Sequence, residues 1–204
     1  MIVLHTPPNL DTVKSELVQY HDSGTYMDQI TLVDKQAENY LSERVEQNNR
    51  LSQPKKLAVV FDIDETTLSN YSHLLNRNFG RAKDTFIKDQ QKAQDPAIQP
   101  TLALFKLAEK DHVAVFFITG RHEDLRPATV KNLDAAGYFA FNGLYFRPDN
   151  DKNSSVVAYK SSTRKQIENK GFDVVLNIGD QESDLAGGAA DKDFKLPNPF
   201  YYVG

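Results

Sequence analysis

The stretch Leu57-Ala58-Val59-Val60-Phe61-Asp62-Ile63-Asp64-Glu65-Thr66 joins a continuous apolar run to two carboxylates set two residues apart. Five apolar residues without polar alternation predict a short strand buried on both faces, as in a parallel sheet covered by helices. A carboxylate does not belong in such a core, so Asp62 and Asp64 mark where the chain leaves it. Residues 113–118 and 174–178 form two more runs of this kind, and 143–146 a weaker one. Helical spacing is predicted between them over 101–110, 125–136 and 162–169. Strands alternating with helices predict an α/β fold, a three-layer sandwich with a mainly parallel central sheet. Ligands bind such sheets at the carboxyl ends of the strands.

Outward from this core the pattern changes. Leu10, Val13, Leu17 and Tyr20 lie at helical spacing, and Gly24 ends that helix. Thr25 and Asp28 read as a capping box opening a second helix, whose apolar face runs through Met27, Ile30, Val33 or Leu32, Ala37, Tyr40, Leu41 and Val45. Residues 47–56, with Pro54, read as a linker. The organisation expected is an N-terminal helical part over 1–54 and a catalytic core over 55–204. Residues 69–99 interrupt the alternation, are polar, and carry Tyr71, Phe79 and Phe86. They are expected to form an insertion over the strand ends, packed with the N-terminal helices as a small helical cap.

The 204 residues carry a net charge of −4, which gives no global reason to expect a nucleic-acid partner. An anionic substrate therefore needs a local positive site. Cysteine is absent, which excludes disulfides, thiolate metal sites and thiol catalysis. No run reaches the length of a membrane span, and residues 1–10 show no basic region followed by an apolar stretch. The five histidines do not fall at metal-ligand spacing.

Each predicted strand ends in polar residues of one kind. The first ends in Asp62 and Asp64, the second in Thr119-Gly120-Arg121, and the last in Gly179-Asp180, followed by Asp184. Lys160 lies at the start of the helix that precedes the last strand. Phosphoryl transfer needs such a set. A carboxylate such as Asp62 can attack phosphorus and split one hard step into two. A second acid, Asp64, can protonate the leaving alkoxide and then activate water. Thr119 and Lys160 offer a hydroxyl and a positive charge to the phosphoryl oxygens, with Gly120 and Arg121 beside them. Arg121 has an alternative, pairing with Glu123 or Asp124, and Asp184 has one as a helix cap. Several carboxylates at one edge repel unless a cation is bound, some are protonated or the site is not assembled, which is the physical argument for a metal; Mg2+ takes oxygen ligands such as Asp62 and Asp180.

In this order the residues resemble the haloacid dehalogenase (HAD) superfamily: Asp-x-Asp-x-Thr at 62–66, strand-Thr-Gly-Arg at 119–121, Lys160, and Gly-Asp-x-x-x-Asp at 179–184. The form Phe-Asp-Ile-Asp-Glu-Thr with Ile-Thr-Gly-Arg is similar to the subfamily IIIB acid phosphatases, which include bacterial class C acid phosphatases and plant vegetative storage proteins. That resemblance implies a HAD-like Rossmannoid core and Mg2+-dependent hydrolysis of phosphate monoesters through an aspartyl-phosphate. It implies a nucleophile at Asp62 and an acid/base at Asp64. It implies magnesium on the Asp62 side chain, the Asp64 backbone carbonyl and the Asp180 side chain, with Asp184 on a metal water or orienting Lys160. Many members of that branch are exported.

Three other classes share part of the pattern. A receiver domain also sets acids, Thr and Lys around magnesium, but its acceptor Asp follows a later strand. A storage or binding protein on the same fold, or a phosphotransferase, would keep most of these residues. The expected partner is a small phosphorylated molecule, a nucleotide or an aryl phosphate being the types that Tyr71, Phe79 or Phe86 would stack on; the favoured reading of these three rings is instead the core of a small helical lobe.

Overall fold

The computed structural model describes residues 7–80, 82–148 and 155–203. In chain order the elements are α1 (Leu10–Asp22), α2 (Thr25–Asn49), β1 (Lys56–Phe61), α3 (Tyr71–Asn76), α4 (Lys83–Gln90), α5 (Gln99–Lys110), β2 (Ala114–His122), α6 (Arg126–Ala136), β3 (Gly143–Arg147), α7 (Val156–Asn169), β4 (Phe172–Gly179), α8 (Glu182–Leu185) and β5 (Lys192–Lys195). The five strands form one parallel sheet in the order β3-β2-β1-β4-β5. The fold is α/β, a parallel central sheet with helices on both faces, as expected.

β1 is central, and its two faces feed separate cores. Leu57, Val59 and Phe61 face a layer built with Ile30 and Leu41 of α2 and Leu104 and Phe105 of α5. Ala58 and Val60 face Phe116, Ile118, Val174 and Ile167 of α7. The apolar run is continuous because both faces are covered. Burial of each Leu, Val, Ile or Phe among them contributes roughly 1.5–3 kcal/mol.

Three local expectations are corrected, and the choice between Val33 and Leu32 is settled in favour of Val33. α2 starts without a capping box: its N-cap is Gly24, at a left-handed φ of 88°, and no side chain caps it. The glycine tolerates this conformation because it lacks a Cβ. α2 also runs to Asn49, into the stretch read as a linker. Within it Val33 packs against the core whereas Leu32 is 61% exposed. α7 begins at Val156, so Lys160 stands in its second turn rather than at its start.

α2 lies along α5 and the β4–β5 side of the sheet, with α1 against it. Residues 69–99 contribute α3 and α4. The rings of Tyr71 and Phe79 pack with Phe200, and Tyr71 also stacks on His21 at 3.3 Å, so these rings build a small aromatic core. Phe86 of α4 instead lines the cavity at the carboxyl end of the sheet. Among the described residues, no helix is long and apolar enough to cross a membrane.

Candidate active site

The site starts where β1 ends. The Asp62 N–H donates to the Ile178 carbonyl (3.0 Å), which carries the sheet pairing one residue past Phe61. The chain then folds back tightly: the N–H groups of Thr67 and Leu68 both donate to the Ile63 carbonyl at 2.9 Å. Glu65 takes a left-handed φ of 56° within this turn. The turn sends Asp62 and Asp64 toward the same cavity while Ile63 stays in the core.

β4 delivers Asp180 beside Asp62, because β1 and β4 are neighbours in register, Phe61 opposite Ile178. Gly179 allows the next approach. A Cβ there would stand 2.5 Å from the Asp184 Cβ and 2.6 Å from its Oδ2. Gly179→Ala is therefore expected to displace Asp184 and lower stability by about 1–3 kcal/mol in chemical denaturation, the usual result of overpacking; unchanged stability would show that Asp184 can move freely.

Oxygens of Asp62, Asp180 and Asp184 all lie within 4.8 Å of one another, and all three residues are buried. The Lys160 ammonium donates to Asp62 Oδ1 and to Asp184 Oδ1, the latter at 2.6 Å. Asp184 Oδ2 accepts from the Gln181 N–H (2.8 Å) as part of a capping box. Asp184 thus caps its short helix and orients Lys160 at once. Asp180 Oδ1 accepts from the Thr66 hydroxyl (3.0 Å). Its Oδ2 accepts from the side chains of Gln181 (2.6 Å) and Asn198 (2.7 Å).

Crowding shows in the proton affinities. Burial, then the Asp184 charge, pushes Asp62 well above the usual carboxylate range, against the pull of Lys160. Asp180 is pushed up to about 7 by burial, then by Asp184 and Glu65. Lys160 is raised despite its burial, because Asp184 and Asp62 hold its charge. Asp64 behaves differently. Burial would raise it, but Arg121 and hydrogen bonds from Arg121, Asn70 and Gln90 hold it below the ordinary value. Arg121 grips Asp64 through Nε (3.0 Å to Oδ2) and Nη2 (2.7 Å to Oδ1).

The local alternative for Arg121 is thereby corrected: the next-helix acid Glu123 is paired by Arg126, and Arg121 reaches across the site. Asn70 and Gln90 bring the insertion onto Asp64 at 2.8 and 3.1 Å. Thr119 is fully buried, and its hydroxyl oxygen accepts from the Arg121 N–H at 3.1 Å. Gly120 and Arg121 line the cavity with Asp62, Asp64, Lys160 and Asp180. The cavity has a volume of about 290 Å³.

Residues 5–204 match the model of the HAD superfamily, subfamily IIIB (acid phosphatase). The chain belongs to this family. Its relatives include acid phosphatase 1 of Solanum lycopersicum, 37% identical over 148 residues, covering 71% of this chain and 58% of that protein. Vegetative storage protein 1 of Arabidopsis thaliana is 30% identical over 204 residues, covering 96% of this chain and 73% of that protein. The chain thus spans under two thirds of the length of the tomato subfamily member. The fold matches that of the class C acid phosphatase from Bacillus anthracis, solved with tungstate bound, with a TM-score of 0.73 at 21% identity. That match covers 95% of this chain and 86% of the other.

Several residues around the subfamily's Asp pair escape a reading of the sequence. Glu65 is fully buried, pushed up to about 8 by burial and by Asp64, and accepts from the Tyr201 hydroxyl and the Asn70 N–H. Asp95, pushed up to about 6 by burial against the pull of Arg121, lies 3.8 Å from Arg121 and 3.2 Å from the His73 ring. Asn198 and Tyr201 come from residues 196–203, a stretch with no periodic pattern. Thr66, inside the first motif, is the exception: its place in Asp-x-Asp-x-Thr could have flagged it.

Proposed function

We propose that the chain hydrolyses small phosphate monoesters through an aspartyl-phosphate formed on Asp62, with Mg2+ as cofactor. The observation that carries this reading is the meeting of Asp62, Lys160, Asp180 and Asp184 at one buried point, with Asp64 on the same cavity.

The donor set fits a hard divalent cation. Three buried carboxylates present oxygens within 4.8 Å of one another, and one ammonium bonded to two of them leaves excess negative charge. Asp62 and Asp180 would hold the cation, with Asp184 beside them and the Asp64 carbonyl as a further oxygen. When bound, it neutralises charge that otherwise sets the carboxylates against the phosphate.

An Asp62 oxygen attacks phosphorus as the bond to the leaving oxygen breaks, and Asp64 gives its proton to that oxygen. Water then attacks the aspartyl-phosphate and loses a proton to Asp64, and the Asp62 carboxylate returns as phosphate departs. Lys160 and Arg121 face the charge that grows on the phosphoryl oxygens. Arg121 also sets the state of Asp64. Charge that its guanidinium shares with a bound phosphate weakens its hold on Asp64, which can then carry the proton that the first step needs. The leaving group lies against the apolar wall that Phe86, Ile87, Leu125 and Val156 give the cavity, which suits an aryl or nucleoside group.

The test is turnover of para-nitrophenyl phosphate by the purified protein with Mg2+, after EDTA, and after Mg2+ is restored. EDTA is expected to lower the rate by on the order of 10²-fold or more, reversibly. Full turnover in EDTA would remove the cation from the reading, and no turnover with Mg2+ would remove hydrolysis.

A further inference from the structure

We propose that Asn198 is a positioning residue for the Asp180 carboxylate, so that residues 196–203 belong to the cation site; this rests on the reading of Asp180 as a ligand. A carboxylate offers about four lone-pair sites. Asp180 gives two of them on Oδ2, to Gln181 and Asn198, and one on Oδ1, to Thr66. What remains is on Oδ1. The two donors on Oδ2 therefore decide which oxygen faces the cluster.

Asn198 is itself fixed from the other side. Its Oδ1 accepts from the N–H groups of Phe200 (2.9 Å) and Tyr201 (3.4 Å), an Asx turn. That turn sends the Phe200 ring among Tyr26 (5.1 Å between centroids) and Tyr71 (5.3 Å), and the Tyr201 hydroxyl onto Glu65. Ahead of it, the Lys195 ammonium donates to the Asp180 carbonyl at 2.6 Å. One amide thus ties a locked segment to one carboxylate, with its nitrogen on Asp180 and its oxygen on the turn. Groups that orient a ligand from behind typically contribute 10–100-fold in metal affinity.

Three variants separate positioning from simple anchoring. Asn198→Ser keeps an oxygen for the turn but falls one bond short of Asp180. Asn198→Ala removes both contacts. Ser183→Ala removes a different anchor of the same segment, the hydroxyl that donates to the Val203 carbonyl at 3.0 Å. Mg2+ is titrated into each EDTA-stripped protein, with binding read by calorimetry and by the shift in unfolding temperature. Asn198→Ser and Asn198→Ala are expected to bind Mg2+ about 10–100-fold more weakly, and Ser183→Ala within about twofold of the unaltered chain. Asn198→Ser carries the test if Asn198→Ala does not fold. Wild-type affinity in Asn198→Ser, or an equal loss in Ser183→Ala, would overturn the assignment. No Mg2+ binding by the unaltered chain would overturn the cation site itself, and this inference with it.

Discussion

Asp62→Asn is expected to hydrolyse para-nitrophenyl phosphate at no more than about 10⁻⁴ of the unaltered rate at saturating Mg2+, an effect on the scale of losing a nucleophile. The substitution is close to isosteric. The amide oxygen can still accept from Lys160, which now bonds Asp62 Oδ1, so the site can keep its shape. What goes is the anion. An amide oxygen is too weakly nucleophilic to displace an alkoxide from phosphorus, and no other carboxylate is placed to take over. Asp180 has three protein donors on it, Asp184 is bonded to Lys160 and to the Gln181 N–H, and Asp64 is in the grip of Arg121. Circular dichroism and the unfolding temperature would show that the variant is folded. A folded variant within tenfold of the unaltered rate would move the attack to another group, and water activated by Asp64 would be the first to consider.

Lys160→Met is expected to lower stability by about 3–5 kcal/mol in EDTA, because it leaves buried charge without its partner. The Lys160 side chain is 4% exposed, and those of Asp62 and Asp184 are 8% and 5% exposed. Methionine fills much the same space without the ammonium, so the loss is electrostatic rather than a cavity. Mg2+ should return part of the stability, since a cation supplies the missing charge among the same carboxylates. Urea unfolding with Mg2+ and with EDTA measures both numbers. Equal stability of Lys160→Met and the unaltered chain in EDTA would mean that Asp62 and Asp184 take up protons at little cost, and that Lys160 does not hold the cluster together.

The sequence was most legible where burial leaves a pattern. The runs at 57–61 in β1 and 113–118 through β2 are apolar without interruption, and that at 174–178 in β4 is broken only by Asn177, because helices cover both faces of the sheet. β5, Lys192-Asp193-Phe194-Lys195, was invisible because it is an edge strand with Phe194 alone buried among its four residues. The carboxylates could be assigned to one end of the sheet because strand ends in a parallel fold share an edge. Their partners could not. The choice of Arg121 between Glu123 and Asp64 is made by tertiary approach, which local spacing does not encode. Glu65 looks like a surface acid between two site residues, and only the approach of Tyr201 and Asn70 shows that it is enclosed. Asn198 in Pro-Asn-Pro reads as turn chemistry, which it is, and its hold on Asp180 appears only once β4 and the following segment are folded.

Asn198 and Tyr201 also set a schedule for the chain during its synthesis. All four sequence motifs have left the ribosome once residue 184 is free of it, and the sheet can form from β1 to β4 soon after. Asp180 still lacks one of its three donors, and Glu65 its hydroxyl, until residues 195–201 emerge and wrap back. A nascent chain halted between residues 185 and 195 would therefore carry every signature of the family with its carboxylates poorly oriented. Residues 195–201 act as a clasp that completes the site once they have emerged and folded back.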